Sequence, residues 1–293
     1  MKSIKSIKMI LCLSLTLGIA FTAGCGAGRN GTVEPEAEKP VVAVTIVPEQ
    51  TFVEAVCGDL AEVVVMVPPG SSPENYEPTP VQMVKFSDAL IYFAIGVPTE
   101  AANILPDSGE VRVVFLNEKV AEVYPERTFE AGERDPHIWL SPKRAQVMVA
   151  AIAEEMSALD PDNALVYSEN AAAYIADLET LDEDITAALE GIENRKFIVY
   201  HPAFGYFAED YALEMYALEE EGKEATVQRL QQMIDLAKAE GIKVIFYQSE
   251  IDSSQSQAFA EEIGGRTMAL SPLAADYIGN LRSMAELMAE VMS

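Results

Sequence analysis

Short runs of apolar, β-branched residues alternate along this chain with stretches whose apolar positions recur every three or four residues. The runs at 41–47, 62–67, 90–95 and 111–116 read as strands in the first half, and those at 197–200, 214–218, 244–247 and 266–270 in the second. Near-continuous apolar strands separated by helical patterns imply parallel sheets covered on both faces. Pro48 opens a helical stretch to about 56, Thr79 and Pro80 form an N-cap and first-turn proline, and a further helix falls at 100–105. Ser141 and Pro142 start a longer helix with Ala145, Met148, Ile152, Met156 and Leu159 on one face.

Asp160 and Pro161 repeat the cap signal. Ala171, Ile175, Leu178, Leu181, Ile185, Leu189 and Ile192 then keep the helical period, and no Gly or Pro interrupts 162–190. A helix of about 30 residues runs ~45 Å, longer than one small domain needs, so it reads as a rigid spine between two lobes. Helices at 204–211, 226–240, 256–263 and 274–292 complete the pattern around an acidic turn at 219–224. The predicted fold is α/β: two βα lobes with parallel sheets joined by one long rigid helix. The expected divisions are a signal peptide at 1–24, a lipid-anchored tether at 25–40, an N-terminal lobe at 41–160, a linker helix at 161–192 and a C-terminal lobe at 193–293. Two such lobes enclose a cleft, and ligands of open parallel sheets bind outside the carboxyl ends of the strands.

The amino terminus is an address. Lys2, Lys5 and Lys8 precede an apolar run from Met9 to Phe21, too short for the ~20 residues that span a hydrocarbon core. The run ends in Thr22-Ala23-Gly24-Cys25, small residues before a cysteine. This is similar to the lipobox of bacterial lipoproteins, with Thr22 where leucine is usual; processing there leaves Cys25 lipidated, and the rival is an ordinary secretory signal cut nearby. The chain is therefore expected outside the cytoplasm, in the periplasm or at the cell surface. Of three cysteines, Cys12 leaves with the signal and Cys25 takes the lipid, so Cys57 stands alone and reads as a small buried hydrophobe rather than half of a disulfide.

Charge then removes one class of partner. Among 293 residues, 47 are acidic and 20 basic, a formal charge of −27, and such a chain opposes a polyanion, so no nucleic acid is expected. Only two histidines occur. His201 directly follows the predicted strand 197–200, and His137 lies in Asp135-Pro136-His137-Ile138-Trp139 just before the Ser141 cap, so one comes from each lobe. A lone histidine is usually structural, but two converging on one cleft suggest ligands. The loop 67–78 adds Glu74, held between prolines. A carboxylate beside two imidazoles suits zinc, and with added water also iron or manganese.

Four segments carry a resemblance. They are Pro68-Pro69-Gly70 through Tyr76-Glu77-Pro78-Thr79-Pro80, then Asp135-Pro136-His137-Ile138-Trp139-Leu140-Ser141-Pro142, then Tyr200-His201-Pro202-Ala203-Phe204-Gly205-Tyr206-Phe207, and last Leu270-Ser271-Pro272-Leu273-Ala274 with Asp276-Tyr277. In order and spacing, from about Val41 to the end, the chain resembles the solute-binding lipoproteins of bacterial zinc and manganese ABC importers, a family that includes proteins described as adhesins. The resemblance implies two βα lobes joined by a long helix and a metal held between them. His137 and His201 match two of the family's ligand positions. Glu74 stands where a histidine is usual, and Ser271 where an aspartate is usual, so Glu250 or a water is left to complete the shell. The histidine-rich acidic loop of many zinc members is absent between 121 and 134.

Together these features point to a receptor, expected to be monomeric, that captures a divalent transition metal and delivers it to a cognate ABC permease in the membrane. Zinc is favoured because His201 keeps nitrogen where manganese members often have a carboxylate; manganese or iron stays open, as do a non-metal ligand and an adhesin-like role. An enzyme is not expected. A metallohydrolase could use the same cluster, but the chain has no His-Glu-x-x-His helix, no Gly-x-Ser-x-Gly elbow and no P-loop.

Overall fold

Both halves of the chain build the same sheet. The computed structural model describes residues 39–106, 109, 111–129, 132–219, 225–250 and 254–293. The expected signal, Cys25, nearly all of the tether and most of the acidic turn lie outside them. In the first lobe β1 (Val41–Val44), β2 (Glu62–Val65), β3 (Ile91–Ala94) and β4 (Arg112–Phe115) form an all-parallel sheet in the order β2-β1-β3-β4. In the second, β5 (Lys196–Val199), β6 (Glu214–Ala217), β7 (Val244–Gln248) and β8 (Arg266–Leu270) form an all-parallel sheet in the order β6-β5-β7-β8. In each lobe the strand order reverses beside the first strand, which places a switch-point crevice at the carboxyl ends.

The expected two-faced burial is met. Along β5, Phe197 and Val199 enter the main core while Ile198 and Tyr200 enter a second apolar cluster with Met233, Ala237, Phe259 and Ile263. The last four come from or adjoin α7 (Val227–Glu240) and α8 (Ser254–Glu262). The main core is continuous between lobes. It joins α1 (Val47–Cys57), α4 (Pro142–Leu159), α5 (Ala164–Ala188), α6 (Gly205–Asp210) and α9 (Tyr277–Met292) in one buried cluster.

Caps fix the ends of these helices. Thr79 accepts the Gln82 N–H at the start of α2 (Pro80–Ser87), and Ser141 accepts the Arg144 N–H at the start of α4. The long helix is entered through a short 3-10 turn at Pro161–Asn163, where Asp160 accepts hydrogen bonds from Asn163 and Tyr167. The helix itself has 25 residues, about 38 Å at 1.5 Å per residue. The helix expected at 100–105 is a short π-helix, Glu100–Ile104, and a six-residue helix α3 (Leu116–Ala121), not expected from the sequence, follows β4 directly. No helix among the described residues is long and apolar enough to cross a membrane.

Candidate metal centre

Three elements deliver the candidate ligands. Glu74 sits in the loop between β2 and α2, tied down at both ends. The Tyr76 carbonyl accepts hydrogen bonds from the Thr99 hydroxyl and, at 2.9 Å, from Asn103 Nδ2, while the Pro73 carbonyl accepts the Thr99 N–H at 3.2 Å. The Tyr76 hydroxyl donates to Gln82 at 2.9 Å, and Gln82 Nε2 donates to the Met66 carbonyl at 3.0 Å. His137 immediately precedes the 3-10 turn Ile138–Leu140 that leads into α4. His201 lies two residues past β5. Both imidazoles are buried, and Glu74 is partly so.

These side chains meet. His137 Nε2 and His201 Nε2 are 3.2 Å apart, and Glu74 Oε1 lies 3.6 Å from the first and 3.7 Å from the second. Zinc bonded tetrahedrally at 2.0–2.1 Å separates its ligand atoms by about 3.3–3.4 Å, so this triangle has nearly the size of one face of that tetrahedron. Glu74 Oε1 is buried with no hydrogen-bond partner, which for a carboxylate oxygen is costly unless a cation or donor completes it.

Two further carboxylates set the imidazole tautomers. Asp135 Oδ1 accepts the Nδ1–H of His137 at 2.8 Å and its backbone N–H at 3.0 Å; Glu219 Oε2 accepts the Nδ1–H of His201 at 3.0 Å. A carboxylate on Nδ1 leaves the Nε2 lone pair facing the centre, the arrangement that metal-binding histidines use. Neither carboxylate was evident as a site residue in the sequence. Asp135 had a local signal, an acid two residues before His137. Glu219 had one only through strand register: Val199 pairs with Ala217, so two residues further on His201 and Glu219 stand level.

The centre is bonded into both lobes. Arg127 Nε lies 3.5 Å from Asp135 Oδ2, and its Nη1 donates to Glu209 of α6 at 2.9 Å. The Tyr206 hydroxyl accepts the Arg127 N–H at 3.0 Å and donates to the Asp135 carbonyl at 3.2 Å. At Gly205 a Cβ would stand 2.6 Å from Asp135 Oδ2 and 2.7 Å from Arg127 Nε, so a larger residue there would have to displace this pair. Trp139 and Tyr206 are buried, and Trp139, which lines the space beside the ligand triangle, donates from Nε1 to the Pro272 carbonyl of the other lobe at 2.9 Å. Glu250 accepts from the Ser249 hydroxyl at 2.9 Å through Oε1 and keeps Oε2 buried without a hydrogen-bond partner, but it does not line the space beside the ligand triangle, where that strand end contributes Gln248. Cys57 is buried, and desolvation, with Asp160 nearby, pushes its thiol up to about 12, the inert state expected of a packed cysteine.

Known proteins share this arrangement of the chain. The profile of the family described as "Zinc-uptake complex component A periplasmic" matches residues 42–291. The high-affinity zinc uptake system protein ZnuA of Bacillus subtilis (strain 168) is 29% identical over 270 residues, covering 86% of this chain and 85% of that one. The zinc-binding lipoprotein AdcA of Streptococcus pneumoniae (strain R6) is 28% identical over 283 residues, 91% of this chain; the chain spans only 55% of AdcA. A solved ZnuA deletion mutant with zinc bound is 36% identical and superposes with a TM-score of 0.81 over 87% of this chain and 99% of that one. The chain belongs to the periplasmic zinc-uptake complex component A family.

Proposed function

We propose that this chain is the extracytoplasmic solute-binding component of an ABC importer. In this reading it captures zinc between its lobes through Glu74, His137 and His201 and hands the ion to a membrane permease. It acts as a receptor rather than a catalyst, lipid-anchored through Cys25, and works as a monomer. The domain divisions expected from the sequence belong to the same reading.

The observation that carries it is the triangle of ligand atoms, 3.2, 3.6 and 3.7 Å on its sides, with each imidazole oriented by its own carboxylate. Two nitrogens and one oxygen suit zinc better than an all-oxygen shell would, and the buried, orphaned Glu74 oxygen supplies the negative charge a divalent ion needs. Relatives named for zinc uptake and zinc binding support the choice of ion. Titration of the purified protein against a chromophoric zinc chelator tests it. Wild type should bind one zinc, and His137→Ala, His201→Ala or Glu74→Ala should each weaken binding by at least tenfold. Equal binding by wild type and all three variants would place the ion elsewhere, and tighter binding of manganese than of zinc would change the cargo.

A further inference from the structure

Strand register places a third polar side chain in the row that already holds His201 and Glu219. In the second sheet Val199 pairs with Ala217 on one side and with Phe246 on the other. Two residues beyond those partners come His201, Glu219 and Gln248, level with one another at the carboxyl ends of β5, β6 and β7. Glu219 flanks His201 on one side and is bonded to its Nδ1. Gln248 flanks it on the other.

Gln248 is 7% exposed and lines the same small, partly open space as Ser72, Glu74, His137, Trp139 and His201, with a volume of about 10 Å³. That is room for about one water-sized body. Its side-chain amide makes no hydrogen bond to the described residues, so its oxygen is free to serve whatever occupies that space. On the next strand Gln248 pairs with Leu270, and the lining continues as Pro272 and Leu273. Ser271, the residue expected to matter from the sequence, approaches Ser249 at 3.3 Å and is not part of that lining.

Charge favours an amide over another acid. The centre already gathers three carboxylates, Glu74, Asp135 and Glu219, with Arg127 beside Asp135. A divalent cation with Arg127 balances those three, and a neutral oxygen donor leaves that balance intact where a fourth carboxylate would leave an uncompensated buried charge. Resting on the metal-binding reading above, we infer that Gln248 supplies the fourth oxygen of the bound ion through its amide carbonyl, so that the shell is Glu74, His137, His201 and Gln248.

The test uses three proteins with zinc and with cobalt(II), whose visible d–d absorption reports coordination number and donor set. Gln248→Leu keeps the volume and removes the oxygen; it should weaken zinc by about tenfold or more and change the cobalt spectrum. Gln248→Glu restores an oxygen and should bind zinc at least as tightly as wild type, while its metal-free form melts at lower temperature than metal-free wild type because an extra acid joins Glu74, Asp135 and Glu219. If Gln248→Leu does not fold, Gln248→Glu still decides: a cobalt spectrum and zinc affinity identical to wild type, with no change in metal-free melting, would overturn the assignment. So would wild-type affinity and spectrum in Gln248→Leu. Wild-type protein that binds no zinc would instead remove the metal-binding reading, leaving the two failures distinct.

Discussion

At the scale of single residues, the centre depends on which ring nitrogen carries the proton. Asp135 and Glu219 each hold Nδ1–H, so both Nε2 lone pairs point at one spot, where they repel each other until a cation lies between them. Removing the charge but keeping the shape should therefore weaken metal binding without unfolding the protein. Asp135→Asn and Glu219→Gln are each expected to lower zinc affinity by about 10–100-fold, measured by chelator competition, with the metal-free melting temperature recorded alongside. Unchanged affinity in both would mean that packing alone orients the rings. The histidines and Glu74 were legible in the sequence because each sits beside a proline-stiffened motif at a predicted strand end or helix cap. Glu219 and Gln248 were not, since the sequence separates them from His201 by whole helices and only the pairing of β5 with β6 and β7 makes them neighbours.

At the scale of elements, the loop bearing Glu74 borrows its rigidity from the turn Glu100–Ile104. That turn is anchored by Glu100, whose carboxylate accepts from the Thr45 hydroxyl at 2.5 Å and from the N–H groups of Ile95 at 2.8 Å and Gly96 at 2.7 Å. Glu49, at the start of α1, accepts the N–H groups of Thr45 and Ile46 through one oxygen, both at 3.0 Å, and leaves the other buried without a partner. Burial first, and then the Coulomb field of Glu100, raises the Glu49 pKa well above the ordinary carboxylate value; burial likewise raises that of Glu100, against the opposing pull of its three hydrogen bonds and Arg134. The folded state thus holds protons at pH values where the unfolded chain has released them. These groups favour folding as pH falls from neutral toward the carboxylate range and oppose it as pH rises. Glu49→Gln keeps the two accepted bonds and removes the titration. Its melting temperature should exceed wild type at pH 8, by about 2–4 °C for each kcal/mol relieved, and the gain should shrink at pH 5; a pH-independent difference in thermal melts would refute the account. All eight strands among the described residues were legible because near-continuous apolar runs leave little choice, whereas α3 was not, because its six residues are too few to display a helical period.

At the scale of the whole molecule, the lobes are tied directly to each other as well as through α5. Besides Arg127–Glu209 and Trp139–Pro272, the Tyr277 hydroxyl donates to the Trp139 carbonyl at 2.7 Å, the Thr51 hydroxyl donates to the Ala275 carbonyl at 2.8 Å, and Arg144 pairs with Asp210 at 2.9 Å. The Arg144 guanidinium is buried and lies 4.4 Å from the centre of the Tyr206 ring. Opening the cleft would break these bonds together and leave a buried cation unpaired, a penalty of about 3–5 kcal/mol for a pair of that kind. With the continuous core beneath them, the lobes should unfold as one unit and move little when the ion binds. A calorimetric scan of the purified protein should show a single transition. Free zinc at 100 times its Kd adds about 2.7 kcal/mol and should raise that transition by about 5–10 °C. Small-angle scattering should give the same radius of gyration with and without zinc. A hinge-bending receptor would contract on binding; here the three candidate ligand atoms already stand at nearly the spacing of one face of a zinc tetrahedron, so binding energy has little rearrangement to drive, and a measurable contraction would show that the bonds across the cleft are the ones that give way.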